Sequence, residues 1–378
     1  MNYQRKEWGM FSTEVEISAF KPENGKPEYH AMVRITDFTL DTAEQFKRIE
    51  KTIHALQEYL QGAVLVWKRY FVSDATNQHG FIESNADTAV SIVQQPPFNS
   101  QKVAVWLYFV PEVRLSKDEL GGTIMENSSY RHIYHTQIHS RGADEKKQAE
   151  TLFTKYIQLL KNQDCTLEKH CQRTWVLVKD IETQYADMAI SRRACFEREG
   201  LTSDTHFIAS TGIEGRYIFP DVQFFMDAYA VKGLAQEQVQ YLYAPTHLSP
   251  TSHYGVTFER GVMIHYGDRR HIFISGTASI NNSGEIEHPM DLMKQTERTF
   301  ENMSTLLAEA GASITDIAYL IVYLRDISDY GRIESYVWEH YRHIPKVIVW
   351  APVCRAGWLV EAECMAIKET EDERFNIF

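Results

Sequence analysis

Cysteine is sparse and unpaired in this chain. Its five residues, Cys165, Cys171, Cys195, Cys354 and Cys364, are odd in number and form no CxxC pair. A complete disulfide framework is excluded, and reduced thiols in a cytoplasmic protein are expected. Long apolar runs are also missing. None approaches the roughly 18–20 residues that a membrane helix needs, and MNYQRKEWGMFSTEVEI at the N-terminus has no apolar core of a signal peptide. No Lys/Arg block exists. Lys and Arg number 39 against 51 Asp and Glu, the formal net charge is −12 and the pI is near 5.7. Nucleic acid is therefore not expected as a partner, because phosphate binding needs a basic face. No G-x-G-x-x-G follows a strand and no Walker loop occurs, so no nucleotide cofactor is expected. His265 and His271 lie six apart, and His340 and His343 lie three apart, without Cys or carboxylate partners at ligand spacing. No metal site is expected from that pattern.

What is present is a soluble composition, 44% hydrophobic and 24% charged, over 378 residues. That length exceeds one ordinary core. FSTEVEISAF and YHAMVRITDF alternate at period 2 around the turn PENGKPE, which predicts strands. TAEQFKRIEKTIHALQEYLQG places Phe46, Ile49, Ile53, Leu56 and Leu60 on one helical face. Thr42 with Gln45 can open it as a capping box, with Asp41 the competing cap. LGGTIMENSS (120–129) reads as a linker and YAPTHLSPTSHYG (243–255) as an ordered loop. The same plan then recurs. EQFKRIEKTIHALQEYLQGAVLVWKRYFVSD, QAETLFTKYIQLLKNQDCTLEKHCQRTWVLVKD and QTERTFENMSTLLAEAGASITDIAYLIVYLRD each give an amphipathic helix, a turn and a strand, ending at Asp74, Asp180 or Asp326. YRHIYHTQIHS matches RRHIFISGTAS upstream of units two and three. Self-similarity on this scale means three tandem α+β domains, expected at 10–118, 128–235 and 256–370. In the third, the helix is expected to bury Met293, Thr296, Phe300, Met303 and Leu307.

In that third unit, ISG at Ile274–Gly276, the helix from Gln295 to Asn302, LLAEAGAS, VYLRD and the closing VEAECMAI resemble the YjgF family, also called the Rid family. The resemblance covers about 100 residues well and the first two units only in plan. It implies a chorismate mutase-like α+β module, a β-sheet covered by two helices, which trimerises with a small-molecule cleft at each interface. Three modules in one chain would close as an intramolecular pseudo-trimer, a monomer that keeps those contacts at high effective concentration. Deaminases of the family carry a carboxylate-binding arginine two residues after a proline. Here Pro345 is followed at that place by Val347, and QQPPFNSQ and HFIASTGIEG in the other units supply no arginine either. The family labels "translation initiation inhibitor" and "endoribonuclease L-PSP" attach by similarity, and the acidic charge does not favour them. Part of the chain is also similar to chorismatases, fused YjgF-like chains that cleave chorismate. Cys354-Arg355 with Glu361 seven residues after the cysteine, SGTASI at Ser275–Ile280 and the strand at Arg173–Trp175 carry that likeness, whereas the loop near Leu242 lacks the arginine expected there.

These residues form the expected site. Glu361 and Glu363 alternate with apolar neighbours and share one strand face. Either Glu361 transfers protons in a cleft, with its pKa raised by desolvation, or both carboxylates sit on a solvated face. Cys354 is a cleft wall or nucleophile on one reading and a buried small apolar residue on the other. Arg355 anchors an anion or flanks the Ala356-Gly357 turn. Gly276 and Thr277 can offer backbone N–H groups, or the glycine serves geometry alone. Tyr254 and Arg260, in a loop that also holds Glu259, can close the cleft, or they pack and pair at the surface. Arg173 is a further substrate-binding candidate. The expected function is binding of a small carboxylated metabolite, with metal-free, chorismatase-like hydrolase or lyase chemistry. The alternatives are a non-catalytic metabolite-binding protein and an imine/enamine deaminase or L-PSP-type activity.

Overall fold

The computed structural model describes residues 1–83, 87–142 and 144–378, without the side chains of His253 and Tyr254. Its strands make three six-stranded mixed sheets, one per repeat. The first runs in the order Asn2–Trp8, Thr13–Phe20, Glu28–Ile35, Val103–Val110, Val64–Val72, Ala89–Gln94. The second runs Ala209–Glu214, Cys171–Val178, Phe224–Lys232, Tyr130–His139, Thr123–Asn127, Arg114–Lys117. The third runs Val239–Leu242, Gly261–His265, Arg269–Ala278, Val360–Glu369, Ile317–Leu324, Lys346–Trp350. In each sheet one edge strand (89–94, 209–214 or 346–350) pairs in parallel, and every other pairing is antiparallel. The chain is thus three tandem α+β modules of one topology, as the resemblance implied.

Local chemistry explains the recurring aspartates. Asp74, Asp180 and Asp326 each accept a backbone N–H from the helical turn that follows, the N-cap role that satisfies orphan donors. The long helices Thr42–Tyr59, Glu145–Lys161 and Leu292–Glu309 are capped by Asp41, Asp144 and Asp291. Asp41 therefore takes the place offered to Thr42. Phe46, Ile49, Ile53 and Leu56 bury against the first sheet, and Ala149, Leu152, Tyr156 and Leu159 against the second. In the third helix Thr296, Phe300, Met303 and Leu307 are buried as expected, and only at the first turn does Leu292 take the buried place in front of a half-buried Met293. The first unit's second helix is a single turn, Ala75–Gln78, while the other units have Ile181–Arg198 and Tyr330–His340. The expected linker at 120–129 contains the strand Thr123–Asn127, whose Ile124 and Met125 are buried.

The sheet faces away from the helices meet in one shared core. Trp67 lies 5.8 Å from Trp175, Trp106 4.0 Å from Tyr319, and Tyr229 5.6 Å from Phe273, ring centre to ring centre. These contacts join units one and two, three and one, and two and three. Burial of each such side chain is worth about 1.5–3 kcal/mol, so the units stabilise one another. The seams differ. Between units one and two, Arg69 donates to Asp227 at 2.8 Å and Ser91 donates to the same oxygen. Between three and one, Lys346 pairs with Glu16 at 2.8 Å, and Ser18 donates to the Ala318 carbonyl at 2.6 Å. Between two and three, isolated bridges join Ala209 to Glu259 and Ile213 to Val353, and single bridges of the same kind, Gln94–Arg216 and Pro97–Val349, occur at the other two seams. The seam between two and three holds the site. Among the described residues no helix is long and apolar enough to cross a membrane.

Candidate functional site

Strand Val360–Glu369 alternates, so Glu361 and Glu363 project to one side. That side is the seam with the second unit, not solvent. Glu361 is 5% exposed and Glu363 1%. Glu363 is fully engaged: Arg173 Nη2 donates to it at 2.9 Å, Trp175 Nε1 at 2.7 Å, and the Thr211 hydroxyl donates as well. All three donors come from the second unit. Arg173, 1% exposed, also donates to the Thr211 hydroxyl at 2.6 Å. Offered by the sequence as a substrate-binding group, Arg173 here ties two units together through its guanidinium.

Glu361 is different. Burial, and then the negative charge of Glu363, push its carboxyl up to about 8, with Arg173 and Arg260 pulling the other way. At neutral pH it is mostly an acid rather than a carboxylate. Its space exists because residue 276 is glycine: a Cβ there would lie 2.2 Å from Glu361 Oε1. The register shift between Ile274 and Thr277 turns Gly276 toward the seam. The Gly276 N–H already donates to the Thr211 hydroxyl at 2.9 Å, so it is not the anion donor expected of it. Thr277 is fully buried, bonds the Ser275 carbonyl through its hydroxyl at 2.8 Å and does not line the cleft.

The cleft above Glu361 is walled by Cys354, Arg355, Trp358, Arg260, Gly276 and, from the second unit, Tyr185 and Arg192. Its free space is about 40 Å³, room for a few water molecules. Arg355 lies over the Trp358 ring at 4.9 Å and donates to the Gly284 carbonyl at 3.3 Å. Arg260, 4% exposed, donates to the Ser249 carbonyl at 3.0 Å. Burial and then the nearby Glu361 push the Cys354 thiol up to about 12, and Tyr185 hydrogen-bonds it. Held protonated by burial, the thiol lines the cleft as a wall, and the expectation of a nucleophile gains no support from its surroundings. The backbone of Tyr254 ends the helical turn Thr251–Tyr254, and its side chain lies outside the described residues.

Arg192 escaped the sequence reading. It is 1% exposed, its Nε donates to the Thr257 hydroxyl at 3.2 Å, and its Nη2 has no hydrogen-bond partner among the described residues. A signal existed: it sits four residues after Met188 and four before Phe196, on the buried stripe of its helix. An arginine at core spacing is costly unless something anionic meets it.

Strand registers explain why one seam alone carries this arrangement. The pairs Leu324–Val360, Val178–Phe224 and Val72–Val103 are equivalent, so Glu361 corresponds to Phe225 and Ala104. Val347, where deaminases of the family have arginine, faces the first unit in another cleft with Arg34 and Trp338. Its counterpart beside Glu361 is Thr211, paired with Trp175 as Val347 is with Ile321.

The family described as Endoribonuclease L-PSP matches residues 262–368, the third unit. A RutC family protein of Pyrococcus abyssi (strain GE5 / Orsay) is 35% identical over 101 residues, which is 26% of this chain and 79% of that protein. The chain belongs to the YjgF superfamily. A 3-aminoacrylate deaminase RutC of Acinetobacter baylyi is 27% identical over 70 residues, 18% of this chain and 56% of that one. Over 80% of this YjgF-like chain the fold resembles a chorismatase crystal structure, covering 92% of that one, with TM-score 0.62 and 18% identity. The likeness to a chorismatase therefore extends over all three modules, whereas the matched family spans one.

Proposed function

We propose that the seam between the second and third modules binds a small carboxylated metabolite, and that Glu361 donates a proton to it in a metal-free hydrolysis or elimination. The observation that carries this reading is a buried carboxyl, protonated at neutral pH, sharing one cleft with Arg192, Arg260 and Arg355. Guanidinium groups suit a carboxylate through paired N–H donors. A group titrating near 8 is matched to proton transfer near neutrality. The ligand's acid group takes the space beside Arg192, and the rest of the molecule extends past Arg355 toward the mouth. Chorismate is the first substrate to test, on the resemblance of Cys354–Glu361 and of the whole fold to chorismatases. Purified protein incubated with chorismate should release product, and Glu361→Gln should lose on the order of 10²–10⁴ in rate. Unchanged turnover in that variant would sink the assignment of Glu361. Saturable stabilisation by chorismate or benzoate without any turnover would replace the enzyme with a metabolite-binding protein. Deamination is the less supported chemistry, since valine and threonine occupy the two positions at which a family arginine would serve these clefts.

A further inference from the structure

Two edge strands bound each of the three sheets. On one side, strands 89–94, 209–214 and 346–350 close against a neighbouring unit at the seams, near the bridges Gln94–Arg216, Ala209–Glu259 and Pro97–Val349. The other three edges lie at the far ends of the sheets. Arg114–Lys117 and Val239–Leu242 are four residues long. Asn2–Trp8 has seven, and among the described residues no strand pairs with its outer side. Alternate backbone N–H and C=O groups along it therefore lack a ladder partner, and a long edge of that kind is a template for another strand.

The side chains indicate which strand fits. Tyr3, Arg5 and Glu7 share one face, and Gln4, Lys6 and Trp8 share the other. A protected edge repels copies of itself with charge of one sign, as Arg114 and Lys117 do on the second sheet. Here a base and an acid follow each other on one face. Arg5 pairs with Glu14 and lies 4.5 Å over the Trp338 ring, and Glu7 is exposed. A two-fold axis normal to the sheet keeps each face continuous across the joint. Centred on Lys6, antiparallel pairing sets Arg5 of each copy opposite Glu7 of the other, and Gln4 opposite Trp8. Centring on Gln4, Arg5 or Glu7 gives no Arg–Glu pair. The two Lys6 side chains also meet at the axis, but each ammonium is drawn 4.1 Å over its own Tyr59 ring. Strand pairing alone falls short of the roughly 800 Å² per partner of a stable interface. Trp8 supplies more. It is half-buried, with its ring centre 6.4 Å from Tyr59. On the same face Gln4, Ile17, Tyr29 and Tyr59 border a groove of about 280 Å³. Gln4 at its rim is the residue that meets the other copy's Trp8, so each groove can take up part of an indole ring. We propose that two copies of the chain associate edge to edge through Asn2–Trp8, antiparallel and centred on Lys6, which joins their two six-stranded first sheets into one.

The interface does not depend on what the Glu361 cleft catalyses. Sedimentation equilibrium on the full chain should give a mass near twice 43.8 kDa. Glu7→Arg sets bases against bases and should weaken the dimer at least about tenfold. Arg5→Glu sets acids against acids and should do the same. An equimolar mixture of the two variants should recover the association, because every acid then meets a base across the joint. Should Arg5→Glu fail to fold beside Glu14, Lys6→Cys tests the register. Its thiol lies on the axis, at the separation of directly opposed residues, and should oxidise to a disulfide-linked dimer. Glu7→Cys, whose thiols are offset, should crosslink no faster than the parent chain. A monomeric parent protein, a dimer unmoved by Glu7→Arg, a mixture of folded variants that stays dissociated, or equal crosslinking at the two cysteine positions would each overturn the proposal.

Discussion

Glu361 stands where a side chain at residue 276 would have to be: a Cβ built on Gly276 lies 2.2 Å from Glu361 Oε1 and 3.0 Å from Thr211 Cγ2. The glycine is needed for room, since its backbone is not in the left-handed region. Gly276→Ala therefore sets a methyl group against the end of the acid. The carboxyl can swing and the fold survives, with a stability loss of about 1–3 kcal/mol from overpacking. Activity should suffer more, because misplacement of a reacting group by about an ångström can cost 10²-fold. Urea titration alongside turnover separates the two. A variant with wild-type turnover would show that Glu361 need not sit there.

The Glu361 carboxyl also makes stability fall as pH rises. It titrates near 4.5 in the unfolded chain and near 8 in the fold, so between those values the folded state holds the extra proton. Unfolding then releases a proton, and the contribution of Glu361 declines from about pH 4.5 to about pH 8 and levels beyond it; below about 6.5 the buried His30 and His132, lowered to about 3 by desolvation, slope the other way, so the decline shows above that pH. Glu259, raised to about 7, adds a decline that ends sooner. Glu361→Gln should remove the part of the decline between 7 and 8 and should be more stable than the parent protein at pH 9. Denaturant midpoints measured from pH 5 to 9 check this. Parallel curves for the two proteins would place the Glu361 titration elsewhere.

Arg192 tests the carboxylate side of the cleft. Arg192→Met keeps the packed stem and removes the charge. Stability should hold or rise, because a buried guanidinium with an unpartnered Nη2 is costly. Affinity for chorismate or benzoate should fall roughly 10- to 150-fold, the value of a hydrogen bond to a charged group. Calorimetric titration distinguishes this from a structural arginine, whose removal would lower stability and leave affinity alone.

Much of the architecture was legible because its signals are local. Helical spacing from Phe46 to Leu60, strand alternation and the terminal Asp74, Asp180 and Asp326 all act within a few residues. The strand Thr123–Asn127 was hidden because TIMEN sits among small polar residues and finds its partners in Tyr130–His139 and Arg114–Lys117. The site was legible as far as one strand reached. Alternation put Glu361 and Glu363 on a common face, but nothing local states that another module covers that face. Hence Arg173 was read as a ligand-binding group although its partner, Glu363, lies 190 residues away. Arg192 stayed hidden for the same reason, since its place in the cleft is decided by the docking of two modules.

The Glu363–Arg173 pair supports both the seam and the acid, and a cycle of variants can separate these roles. Glu363→Leu leaves the Arg173 guanidinium buried without its carboxylate, which should cost about 3–5 kcal/mol. Adding Arg173→Met should recover much of that loss, because the hydrophobic pair no longer buries an uncompensated charge. The second consequence concerns Glu361. Glu363 raises its titration and Arg173 lowers it, and Glu363 has the larger effect. In the double variant Glu361 should therefore titrate below about 8, and the alkaline limb of the stability profile should move to lower pH. Recovery of stability with an unmoved limb would mean that burial alone sets the acidity of Glu361. Failure to recover would mean that Thr211 and Trp175, which also donate to Glu363, hold the seam through that carboxylate independently of Arg173.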